Sequence, residues 1–128
     1  MDHEALTRRV IGAAMRVHST LGPGFLESVY QNALAWELRA AGLAVAQEQR
    51  LTVRYRDVVV GEFAADLVVD GCVLVETKAV RGLAAAHEVQ VVNYLTATGL
   101  DVGLLVDFGA GSLQFRRLAR AYAGRAAE

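Results

Sequence analysis

Three charged side chains interrupt apolar segments that otherwise resemble β-strands. Asp66 lies within the apolar run 63–69, and Glu76 and Lys78 end the run that begins at Cys72. An unpaired buried charge costs several kcal/mol, so such side chains usually pair with one another, lie at a strand end or bind a metal ion. Glu76 and Lys78 are two positions apart and therefore project from the same face of a strand. A structural ion pair and a metal-dependent site are both compatible with this spacing.

The turn between the two runs decides whether Asp66 joins the other two side chains. A two-residue loop at Asp70–Gly71 places the two carboxylates on opposite faces of the hairpin. A three-residue loop over 69–71 pairs Val68 with Cys72 and places the carboxylates diagonally on one face. We predict the second register, because the glycine then occupies the third loop position, where a left-handed conformation is required.

Two carboxylates on one face can hold a hard divalent cation such as Mg²⁺ or Mn²⁺ through their oxygens. An ammonium group beside them completes the parts that metal-assisted phosphodiester hydrolysis uses. The cation polarises the phosphoryl oxygen and lowers the pKa of its bound water, while the lysine positions that water or stabilises developing charge.

Hydrophobic periodicity indicates the elements that must position these residues. Helical spacing covers 6–21, 25–41 and 84–98, and β-rich segments cover 45–69, 72–75 and 102–106. The Gly22-Pro23-Gly24 run predicts a tight corner between the first two helices. The segment 113–118 is either a short edge strand or the start of a terminal helix. The order predicts an α/β or α+β fold with a mixed central sheet flanked by helices.

Composition limits the class of protein. The 128 residues, 54% of them apolar and 21% charged, predict one domain over 1–128 with a core at about 6–118; disorder in the tail 121–128 is left open. The net charge of -1 excludes a uniformly basic surface for nucleic acid. The single cysteine, Cys72, cannot form an internal disulfide, and no signal peptide or membrane span is visible. A cytoplasmic location is expected.

Three motifs resemble those of a known nuclease group. Asp66, nine residues and then Glu76-Thr77-Lys78 resemble the core motif of the PD-(D/E)xK superfamily, with Ala65 where that motif names proline. The segment 24–30 has the pattern GxxExxY and resembles the signature of the GxxExxY protein family, a bacterial group assigned to that superfamily. The segment 90–94 has the pattern QxxxY, similar to RecB-type exonucleases. The resemblance spans 11–118 and implies a restriction-endonuclease-like fold.

The resemblance also implies roles for individual residues. Asp66 and Glu76 would bind Mg²⁺ or Mn²⁺, the Thr77 carbonyl would be a third ligand, Glu27 would approach the metal from the second helix, and Lys78 would be the catalytic cation. Gln90 would act in catalysis, and Gln90, Tyr94 and Tyr30 would contact substrate. Position alone makes His87, one turn before Gln90, and Arg81, just after the lysine, further candidate contacts, with solvated side chains as the alternative. From the residues alone, Glu27 is better explained as a first-turn acid that favours the helix N-terminus, and Tyr94 as a core residue bordered by Gln90.

The expected function is therefore that of a metal-dependent nuclease, a hydrolase that cleaves phosphodiester bonds in DNA through a metal-bound water. The expected partner is nucleic acid, DNA in preference to RNA, without a membrane; a homodimer or a protein partner is left open. The alternative is a non-catalytic module that keeps the nuclease fold and binds nucleic acid or protein. A third interpretation makes Asp66, Glu76 and Lys78 a stabilising ion network.

Overall fold

A computed structural model describes residues 2–120, so that Met1 and the tail at 121–128 lie outside the described residues. The elements are α1 (His3–Leu21), α2 (Glu27–Ala40), β1 (Val45–Tyr55), β2 (Val58–Val69), β3 (Val73–Lys78), α3 (Ala85–Thr98), β4 (Val102–Asp107) and β5 (Gln114–Ala119). The predicted order of helices and strands is confirmed. The segment 45–69 forms two strands, and the segment 113–118 contributes a strand rather than a helix.

The five strands form one sheet in the order β1-β2-β3-β4-β5. Three neighbouring pairs are antiparallel, whereas β3 and β4 run parallel. A parallel pair needs a crossover connection, and α3 supplies it. The predicted fold class, a mixed central sheet flanked by helices, is confirmed.

Helices cover both faces of the sheet. α1 and α2 pack on one face around residues such as Leu34 and Val75, while α3 packs on the other through Val91 and Leu95. A Cβ atom at Gly103 would lie 2.8 Å from a Val91 methyl group, so α3 can approach β4 only over a glycine. Within residues 2–120, no helix is both long and apolar enough to cross a membrane.

The predicted corner between the first two helices is confirmed, and a buried tyrosine holds it. Gly22 and Gly24 both have positive φ values, of 67° and 111°. The Tyr30 hydroxyl donates to the Gly22 carbonyl at 2.5 Å and accepts from the Phe25 amide at 3.1 Å. The Tyr30 ring stacks on Phe108 with ring centroids 4.8 Å apart. The corner is thereby fixed to the core, and α2 begins just after it.

The hairpin of β2 and β3 has a different register from the predicted one. The predicted pairing of Val68 with Cys72 is wrong, because the ladder begins with Val69 opposite Val73. The loop still contains three residues, shifted by one position along the chain. Continued one position past the pair Leu67–Val75, the observed register sets Asp66 opposite Glu76 rather than diagonal to it.

The cause of the shift is the conformation of the turn. Asp70 and Gly71 both have positive φ values, of 52° and 66°, and the Cys72 amide donates to the Val69 carbonyl at 3.0 Å. The turn therefore closes over two residues, as in the common two-residue hairpin loop, and Cys72 follows as an extra residue before the ladder begins. This extra residue restores the side-chain parity that a two-residue loop alone would have reversed.

Candidate active site

The two buried carboxylates meet where β2 and β3 diverge. The Asp66 amide donates to Glu76 Oε1 at 3.1 Å, and Asp66 Oδ2 accepts from both the Thr77 amide, at 2.8 Å, and the Thr77 hydroxyl, at 2.9 Å. Asp66 is 8% exposed and Glu76 4% exposed. Each strand thus donates hydrogen bonds that fix the carboxylate on the other strand. Among residues 2–120, neither carboxylate forms an ion pair.

β2 is irregular beside Asp66. Ala65 packs in the α3-side core, whereas Leu67 packs against α1 and α2. Residues two apart on a regular strand share a face, so β2 changes face at Asp66. The residue that would face it on β1, Glu48, has a positive φ of 50° and lies between ladder pairs without a partner of its own. The irregularity of the two strands therefore coincides with the position of Asp66, which the β2–β3 register sets opposite Glu76.

Burial disfavours the ionised forms of two glutamates at the site. Burial raises the pKa of Glu76 to about 8, and the charge of Asp66 contributes in the same direction, against a hydrogen bond from Asp66 and the charge of Lys78. Burial also raises the pKa of Glu27, with the charge of Asp66 as the next cause. Two carboxylates that repel each other in a buried site are the arrangement that a divalent cation relieves.

Lys78 is oriented by a chain of hydrogen bonds from α3. Its Nζ donates to Gln90 Oε1 at 3.0 Å, and Gln90 Nε2 donates to the Tyr94 hydroxyl at 3.0 Å. The Tyr94 ring stacks on Phe63 with centroids 3.9 Å apart. The QxxxY spacing therefore positions the ammonium group from a helix that is itself packed on the sheet, which supports an orienting role for Gln90. Lys78 is also the only lysine in the 128 residues.

Glu27 lies at the edge of the site, as the exposed first residue of α2. Its pKa responds to the charges of Asp66, Lys78 and His87, so it faces the same space. Within the described part of the chain, however, no three His, Cys, Asp or Glu side chains lie close enough together to hold one ion. The structure therefore places Asp66 and Glu76 together and leaves Glu27 near them; a ligand role for Glu27 or for the Thr77 carbonyl stays a prediction.

The other predicted substrate contacts lie in different surroundings. His87 Nδ1 accepts from the Ala84 amide at 2.9 Å and so caps the start of α3, which leaves Nε2 as its second polar atom. Arg81 is exposed in the loop between β3 and α3. Tyr30 is fully buried and its hydroxyl is engaged at the glycine corner. This position favours a structural role for Tyr30 over the predicted contact with substrate.

Sequence reasoning missed two polar residues beside the site. The Gln31 amide donates to Glu48 Oε1 at 2.9 Å, and the Glu48 charge contributes to the raised pKa of Glu27. Gln31 lies four positions after Glu27 on α2, and this spacing on one helical face could have identified it. Glu48 belongs to no motif, and nothing in the sequence predicts its positive φ.

Asp107, at the end of β4, is a third missed residue. It is fully buried, and its Oδ1 accepts from the Val80 and Gly109 amides at 2.9 and 3.0 Å. Its Oδ2 has no hydrogen-bond partner among the described residues. Asp107 thus ties down the loop that leaves Lys78. Its signal was available, because Asp107 ends an apolar run in the same way as Glu76 does.

Comparison with known proteins now identifies the family. A family model described as the PD-(D/E)XK nuclease superfamily matches residues 4–118. The chain belongs to this superfamily. Its members are mostly nucleases and generally use divalent metals. The predicted resemblance to the superfamily is confirmed over nearly the same range of residues.

Structural comparison agrees about the fold. The crystal structure of SSO0001 is similar to this chain with a TM-score of 0.58 and 17% sequence identity, over 77% of this chain and 52% of that chain. The chain thus spans about half the length of that structure, and the likeness concerns the fold alone. No match was found among curated proteins.

The residues present fit the divalent metal that superfamily nucleases use. Asp66 Oδ1 and Glu76 Oε2 form no hydrogen bond within residues 2–120, while the partner oxygens fix both carboxylates in place. Carboxylate oxygens are the donors that Mg²⁺ and Mn²⁺ prefer. Burial and the charge of Asp66 raise the pKa of Glu76 despite the opposing charge of Lys78, so the pair would gain from a further positive charge. The donor set and its electrostatics therefore suit a hard cation.

Proposed function

We propose that this protein is a nuclease that hydrolyses phosphodiester bonds in DNA with Mg²⁺ or Mn²⁺ held by Asp66 and Glu76. One observation carries the proposal: two buried, mutually repelling carboxylates lie beside an ammonium group that Gln90 restrains at 3.0 Å. An ion network built for stability would pair Lys78 with a carboxylate. In the described part of the chain Lys78 has no such ion pair and donates instead to a neutral amide.

Each residue has a distinct role in the proposed reaction. When bound, the cation polarises the phosphoryl oxygen and lowers the pKa of a water molecule. The Lys78 ammonium donates to the charge that develops on the phosphate, and Gln90 keeps it in position for that contact. Thr77 fixes Asp66 through two hydrogen bonds, which leaves the other Asp66 oxygen available as a ligand.

The pKa of Glu76 couples cation binding to pH. Because its pKa is raised to about 8, Glu76 holds a proton at neutral pH when no cation is bound. Cation binding requires the ionised form, so Glu76 releases that proton as the site fills. Affinity for Mg²⁺ or Mn²⁺ is expected to increase as the pH rises toward 8.

The test is cleavage of labelled single- and double-stranded DNA by the pure protein with Mg²⁺, Mn²⁺ or a chelator. Lys78→Ala is expected to reduce the rate by about 10²- to 10³-fold, the usual loss when one donor to a developing negative charge is removed. The matched control is Arg8→Ala, which removes an exposed cation paired with Glu4 on α1. Circular dichroism confirms that each variant is folded.

Two outcomes contradict the proposal. Cleavage that persists in Lys78→Ala would remove the role assigned to the lysine. A folded wild-type protein that cuts neither substrate and takes up no Mg²⁺ or Mn²⁺ in titration calorimetry would favour a binding module that retains the nuclease fold.

A further inference from the structure

A groove of about 700 Å³ runs between the outer half of β1 and helix α3. One wall is formed by residues 52–54 of β1, and the other includes Asn93 and Tyr94 of α3. Residues 52–54 and Asn93 are exposed, so the groove is open to solvent rather than enclosed. Its size lies within the range of about 300–1,000 Å³ that is typical of ligand sites.

Tyr94 connects the groove to the candidate active site through hydrogen bonds. This residue lines the groove, and its hydroxyl is linked to Lys78 by two successive hydrogen bonds of 3.0 Å through Gln90. Stacking on Phe63 holds the ring against the sheet. The groove therefore lies two hydrogen bonds away from the ammonium group.

The lining favours an anion. Arg54 is exposed and forms no ion pair within the described residues, whereas the neighbouring Arg50 pairs with Glu62 at 3.4 Å. None of the residues that line the groove is acidic, in contrast to the carboxylates of the candidate active site. The Asn93 amide adds a donor and an acceptor without charge. A groove of this character suits a phosphate backbone with polar groups attached and offers little to a metal ion.

We infer that the groove binds a single strand of nucleic acid next to the phosphate to be cleaved, with Arg54 on a backbone phosphate and Asn93 on a base or sugar. The inference rests on the proposed function, since it supplies the path of the substrate into that site. A single strand fits better than a duplex, because the space has the volume of a small-ligand site and lies between one strand and one helix. Strand-binding proteins combine such a basic groove with aromatic side chains.

Binding is measured by fluorescence anisotropy of a short labelled single strand in chelator, where cleavage plays no part. Arg54→Gln is expected to weaken binding severalfold and to reduce the slope of log K against log salt concentration by about 0.7, the value for one phosphate contact on a single strand. Asn93→Ala is expected to weaken binding with an unchanged slope. The matched control is Arg56→Gln, because Arg56 lies over the Tyr55 ring at the hairpin tip and does not line the groove. Its affinity and slope are expected to remain those of the wild type.

The outcomes separate this inference from the proposed function. If the wild-type protein cuts DNA and Arg54→Gln leaves the salt slope unchanged, the inference that the groove binds a strand is wrong, and the proposed nuclease function stands. If the protein binds the strand through Arg54 but never cuts it, the groove inference is supported and the proposed nuclease function is wrong. Equal weakening by Arg54→Gln and Arg56→Gln overturns the inference in favour of diffuse charge attraction, as does stronger binding of a duplex of the same sequence.

Discussion

Replacing Glu76 by glutamine should stabilise the metal-free protein at alkaline pH. Glu76 is buried beside Asp66, and both burial and the neighbouring charge disfavour its ionised form. Glutamine cannot ionise, yet its side-chain oxygen can still accept the hydrogen bond that Glu76 Oε1 now accepts from the Asp66 amide at 3.1 Å. The substitution therefore removes a buried charge while the local hydrogen bond is kept.

The size and sign of the effect follow from the raised pKa. Between pH 4.5 and about 8 the folded protein holds a proton on Glu76 that the unfolded chain has released, so the free energy of unfolding falls as the pH rises. At about 1.4 kcal/mol for each pKa unit, the rise from 4.5 to about 8 corresponds to about 5 kcal/mol. The penalty is absent below pH 4.5 and complete above about pH 8. Glu76→Gln should show none of this component.

Urea denaturation in chelator, repeated from below pH 4.5 to above pH 8, measures the difference between the two proteins. Over this range, the free energy of unfolding of Glu76→Gln should increasingly exceed that of the wild type. Adding Mg²⁺ above pH 8 should stabilise the wild type but not the variant. Glu62→Gln is the control, because Glu62 is exposed and its pair with Arg50 contributes at most about 1 kcal/mol. Parallel pH profiles for the wild type and Glu76→Gln would refute the reasoning.

Two further predictions concern the segments that position the site. Gly109→Ala should destabilise the fold by about 3 kcal/mol or more, because its Cβ would lie 2.1 Å from the Val80 carbonyl oxygen. The control is Gly111→Ala, where no atom lies within 4 Å of the new Cβ. In the same urea assay, this control should change stability by less than about 1 kcal/mol. Tyr30→Phe should cost about 1–3 kcal/mol, since it leaves the Gly22 carbonyl and the Phe25 amide without their partner. Thermal unfolding measures this loss, and a melting temperature equal to that of the wild type would contradict the role of the hydroxyl.

The sequence was sufficient for the elements and for the shared face of Glu76 and Lys78, because both depend on short-range periodicity. Apolar spacing located three helices, and the glycines at 22 and 24 located the corner. Glu76 and Lys78 share a face through strand geometry alone, and the QxxxY spacing placed Gln90 and Tyr94 on one helical face. In the structure, Gln90 donates to the Tyr94 hydroxyl and accepts from the Lys78 ammonium group.

Local sequence rules did not predict the register of the β2–β3 hairpin correctly. A glycine at the third loop position favoured a loop over 69–71, but Asp70 also adopts a left-handed conformation, and Cys72 became the extra residue. A positive φ costs aspartate less conformational free energy than it costs most residues, so the sequence allowed this turn without requiring it.

The change of face in β2 at Asp66 depends on the tertiary structure, and local spacing does not predict it. On a regular β2, Asp66 would point away from the face that Ala65 and Leu67 would share, either into a helical layer or toward solvent. Instead these two neighbours pack on opposite sides of the sheet. Helices cover both faces, so each neighbour still gains apolar burial. The helices that flank the sheet therefore favour the strand distortion, while the β2–β3 register sets Asp66 on the same face as Glu76.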